Sequence, residues 1–63
     1  MSKLSTKDLS ALSDLLNYEK WASMKSQLYS QTLQDPEIKG LCKKLQDGHN
    51  KNFNTMFEFL NSQ

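Results

Sequence analysis

The stretch Leu33-Gln-Asp-Pro-Glu37, "LQDPE", decides the fold of this chain. Proline disfavours helical geometry in the residue before it, so a helix arriving from the N-terminal side must end ahead of Asp35. The same residues begin a second helix. Asp35 can cap the open N–H groups of a first turn, Pro36 suits the first helical position, and Glu37 complements the positive end of the helix dipole. On both sides of this break the spacing is helical. Upstream, Leu9, Leu12, Leu16, Glu19, Ser23, Ser26, Ser30 and Leu33 recur at alternating intervals of three and four, and Ala11, Leu15, Tyr18, Ala22 and Tyr29 widen that stripe on one side. Downstream, Ile38, Cys42, Leu45, His49, Asn52, Met56 and Phe59 keep the same rhythm, flanked by Leu41, Phe53, Phe57 and Leu60. Ser5 followed by Asp8 supplies a start for the first helix.

These signals predict one domain over residues 1–63, with a helix over about 6–33, a turn at 34–35 and a helix over about 36–61. Helices of this length extend roughly 40 Å at 1.5 Å per residue, and so short a connection makes them antiparallel. Two helices cannot cover stripes this wide. The expected fold is therefore all-α: an antiparallel two-helix hairpin that dimerises with a second copy into a four-helix bundle about a two-fold axis. Gly40 and Gly48 each cost the second helix about 1 kcal/mol relative to alanine, a cost that either marks a close helix contact or is tolerated by the packing around it.

Composition narrows the function. A chain of 63 residues buries too little surface to be comfortably stable alone. Its single cysteine, Cys42, excludes an internal disulfide, which fits a reduced, intracellular setting. Eight basic and seven acidic side chains nearly balance, and no run of one sign exceeds Lys43-Lys44, so neither nucleic acid nor an anionic membrane is the expected main partner. No signal-peptide pattern is present, nor any run near the roughly 20 apolar residues of a spanning helix. No complete catalytic constellation appears, and the chain is not expected to be an enzyme.

The polar residues on the stripes are the candidate site. Counted outward from the turn, Glu19 and His49 lie at nearly equal distances, so antiparallel pairing brings them level, with Gln46 one turn from His49 on a neighbouring face. One reading is a hydrogen-bonded pair that fixes helix register, since an unpaired charge on a seam is costly. The alternative is a metal site: two copies would offer two carboxylates and two imidazoles for one or two divalent ions, with Gln46 as a weak auxiliary. No cofactor is the first expectation. Cys42 reads as a small core group. Asn52 falls on the seam, where a polar group can specify register, whereas Asn50 and Asn54 are expected in water. Trp21, Met24 and Leu28 gather on a strip of the first helix turned away from the seam, a candidate partner-contact surface.

The pairing of Glu19 with His49 resembles the ferritin-like carboxylate bundles, in which a Glu on one helix faces a Glu-x-x-His motif on its partner. Here Gln46 stands at the position of the second Glu, and an amide is a poor bridging ligand, so a di-metal oxidase centre is not implied. The wider run "LSDLLNYEKWASMKSQLYSQTLQDPEIKGLCKKLQDGHNKNFNTMFEFLNSQ" resembles the ferritin-like hairpin domain of the spore coat protein F family. The shared features are a leucine-rich first helix with a polar-aromatic centre, a "DPEIK" turn, a histidine in the middle of the second helix and a final apolar-aromatic turn. The resemblance implies a small non-enzymatic structural or interaction protein, associated with spores and with other coat proteins as partners.

Overall fold

The computed structural model describes residues 4–63. They form two helices, α1 (Thr6–Thr32) and α2 (Pro36–Asn61), with no strand among the described residues. Ser5, in extended geometry, caps α1 by accepting the Asp8 N–H on its Oγ at 3.0 Å. Asp35 caps α2 in the same way, its Oδ1 accepting the N–H groups of Glu37 and Ile38 at 2.9 and 3.1 Å, and Pro36 follows it. At the end of α1 the backbone of Leu33 swings to ψ 150°, while its N–H still donates to the Tyr29 carbonyl at 3.0 Å. Three residues, Leu33 to Asp35, thus join the helices and force them antiparallel. The hairpin measures 47 × 16 × 12 Å, a slab one helix thick.

The helices meet along Leu12, Leu16, Glu19, Ser23, Ser26 and Ser30 of α1, all buried or half-buried. That row matches the stripe expected for the first helix except at its ends, where Leu9 and Leu33 are exposed. On α2 the facing row is Lys39, Cys42, Gln46, His49, Phe53, Met56 and Leu60, whereas Ile38, Leu45, Asn52 and Phe59 of the expected stripe are exposed. The reason is geometric. Cys42, His49 and Met56 belong to both rows, and the alternates differ by one residue, a rotation of 100°. The apolar residues of α2 spread over an arc that spans both rows, and α1 takes one edge of it.

Residues rotated in the same sense from the facing rows of two antiparallel helices fall on the same side of the hairpin. One broad face therefore carries Leu15, Tyr18 and Tyr29 from α1 and Ile38, Leu41, Leu45 and Phe59 from α2, each between 44% and 61% exposed. On this side a cleft is lined by Leu15, Glu19, Asn52, Thr55 and Met56. The opposite face is polar: its clefts are lined by Gln27, Ser30, Gln31, Lys39, Gly40, Lys43 and Gln46, and by Lys20, Ser23, Met24, Asn50 and Phe53.

No apolar side chain is buried among the described residues; only Glu19 and Ser23 are. The three serines of the inner row contribute little apolar area there, so the hairpin has no hydrophobic core of its own. Nor do the glycines mark a close approach within it, because a Cβ at Gly40 or Gly48 would meet no heavy atom within 4 Å. Among the described residues no helix is long and apolar enough to cross a membrane.

Candidate functional site

Glu19 stands at the midpoint of α1 and His49 within one residue of the midpoint of α2. With the turn so short, the two midpoints face each other. His49 Nδ1 lies 2.7 Å from Glu19 Oε2, a length typical of a charge-assisted hydrogen bond. Asn52 Nδ2 donates to the same oxygen at 3.5 Å, a long and weak contact. The Tyr18 ring meets the His49 ring edge-on, with centroids 6.2 Å apart and planes at 87°, within the favourable range for aromatic pairs. Together Tyr18, Glu19, His49 and Asn52 form a polar layer halfway along the hairpin. Every buried side-chain nitrogen or oxygen among the described residues has a hydrogen-bond partner, so the layer is satisfied where it is enclosed.

Gln46 is not part of this layer. It lines the cleft on the polar side with Lys39 and Lys43, while Glu19 and Asn52 line the cleft on the apolar side. Asn52 takes the third place that spacing had assigned to Gln46. A second interhelical bond, from Ser23 Oγ to Asn50 Oδ1, was not anticipated, since Asn50 reads as a solvent residue. The signal was Ser23 itself, a hydroxyl on the inner row that needs a partner when buried.

A neutral His49 that donates Nδ1–H to Glu19 keeps Nε2 as a lone-pair nitrogen, and no hydrogen bond to Nε2 forms within the described residues. The pair can orient an imidazole; Cys42, half-buried on the same row, lies two helical turns from it. No group of three or more His, Cys, Asp or Glu side chains converges among the described residues to hold a metal ion. Trp21, Met24 and Leu28 are 64%, 50% and 52% exposed. Met24 reaches the polar-side cleft beside Phe53, and Trp21 and Leu28 lie on the back of α1 away from α2. Phe53 and Phe57 stack with centroids 6.0 Å apart. No protein-family model, no curated protein and no solved structure matches the chain.

Proposed function

We propose that this protein is a non-enzymatic structural and interaction protein, similar in role to spore coat components, that works by helix-to-helix association as a homodimer. The observation that carries this reading is the missing core. Thirteen large apolar residues are exposed and none is buried among the described residues. Ordering a backbone residue costs about 1–2 kcal/mol, and most helical stability in proteins comes from packing an amphipathic face, so the ordered hairpin needs a further apolar surface against it. A dimeric four-helix bundle of ferritin-like shape is the simplest assembly that provides one. The Trp21, Met24 and Leu28 strip would then remain for contacts with other coat proteins. The likeness of residues 12–63 to the spore coat protein F family is what favours a coat-type role over other association modules.

The test is helicity on dilution, followed by circular dichroism on untagged protein. Helical signal that falls as the chain is diluted is the expected result. Helicity independent of concentration, in a species of monomer mass, contradicts the reading.

One observation favours a second reading, a divalent-metal site at the dimer core. Metal-ligating histidines commonly have their other ring nitrogen held by a carboxylate, and the Glu19–His49 contact has that form. Stoichiometric metal in untagged protein, lost in His49→Ala, would establish it; metal-free protein from metal-replete growth would rule it out.

A further inference from the structure

The two broad faces of the hairpin are unequal, and the apolar one has a size and a pattern that specify its occupant. Its seven large residues are each roughly half exposed. At the lower end of the roughly 150–250 Å² that a large aromatic side chain can bury, they present on the order of 600 Å² per copy, approaching the roughly 800 Å² that each partner buries in a standard stable interface. Apart from Lys25 and Thr55, the polar groups of this face sit at one level, the layer of Tyr18, Glu19, His49 and Asn52 at the midpoints of both helices. A different protein would need its own polar groups at that height. A second copy brings them by symmetry.

The polar face is unsuited to the same use. Lys20, Lys39 and Lys43 line its clefts with Asp47 as the neighbouring carboxylate on the same face, so pairing two copies there brings three lysines per chain together against one acid.

We infer that a second copy of this chain docks on the face built from Leu15, Tyr18, Leu41, Leu45 and Phe59, with the two polar layers opposed across a two-fold axis. This rests on the association reading given above and adds which surface associates, with what, and in which register. In the assembled bundle Tyr18, His49 and Asn52 lie beside their symmetry copies, and the polar face and the Trp21 strip stay in water.

The experiment is hydroxyl-radical footprinting of the untagged full chain, read residue by residue by mass spectrometry, above and below its association midpoint. Reactivity of Tyr18, Leu41, Leu45 and Phe59 should fall severalfold on association, while Trp21, Met24 and Phe57 change little. As a companion, Leu45→Glu should weaken association by at least about a hundredfold, because it buries an unpaired charge, and Phe57→Glu should leave it essentially unchanged. Association with protection at Trp21, Met24 and Phe57 instead overturns the assigned face and leaves the association reading standing. A chain that is unfolded and monomeric at all concentrations overturns the second copy as occupant, leaving association with a different protein. A folded monomer with a reactive apolar face overturns the association reading itself.

Discussion

Removing the Glu19 carboxylate is the most informative single perturbation of the midpoint layer. The Glu19 and His49 side chains are 11% and 21% exposed and meet at 2.7 Å. An exposed ion pair contributes about 0–1 kcal/mol, whereas breaking a fully buried one costs about 3–5 kcal/mol. This pair lies between those limits. Hydrogen bonds to charged groups contribute about 1.5–3 kcal/mol, and the residual exposure reduces that to about 1–2 kcal/mol of coupling per chain. Glu19→Ala also removes the acceptor used by Asn52, so its total cost should be about 2–3 kcal/mol. Glu19→Gln keeps an acceptor for both partners and should cost less. The assay is a double-mutant cycle of Glu19→Ala and His49→Ala. Helicity is followed through urea unfolding at one fixed chain concentration, because stability in an associating protein depends on concentration. A coupling energy below about 0.3 kcal/mol, within the usual error of additivity, would refute the assignment of the pair to helix register.

Asp35→Ala removes the acceptor for two N–H groups at the start of α2; it should cost about 1 kcal/mol and lower the melting temperature by roughly 4–8 °C. Gly40→Ala should do the reverse, stabilising by up to about 1 kcal/mol, since nothing within 4 Å obstructs the added methyl; a loss of stability would reveal a close contact supplied by another chain. Trp21→Ser should leave association between copies intact while abolishing binding to the proposed partner proteins in a pull-down with purified components. Loss of the dimer would place Trp21 in the association surface instead.

The turn was the most legible part of the sequence, because its signals are local. Asp35 and Pro36 act on their own backbone and first turn, and Ser5 does likewise with Asp8. The meeting of Glu19 and His49 was legible for a related reason: a short turn makes distance from it a ruler for both helices. Rotation of α2 about its own axis was harder to read. Cys42, His49 and Met56 fit either of two rows, and the choice between Phe53 with Leu60 and Leu45 with Phe59 depends on which neighbour takes which edge of a broad apolar arc. Gln46, expected on a neighbouring face one turn from His49, joins the facing row for the same reason and lines the cleft with Lys39 and Lys43. Asn50, expected in water, is exposed, but its bond to Ser23 was not legible because that partner lies on the other helix, where spacing within α2 gives no hint of it.

The most direct test of the central claim is the mass of the untagged chain by light scattering across its size-exclusion peak, with elemental analysis of the same fractions. Association through the apolar face predicts a helical species of about twice the 7.3 kDa chain mass. Metal-free fractions would leave Glu19 and His49 as the register pair, and one or two bound ions per dimer would make them ligands. A stably folded, helical species of 7.3 kDa at all concentrations would contradict the claim, because it would mean that a hairpin without a buried apolar side chain holds its structure unaided.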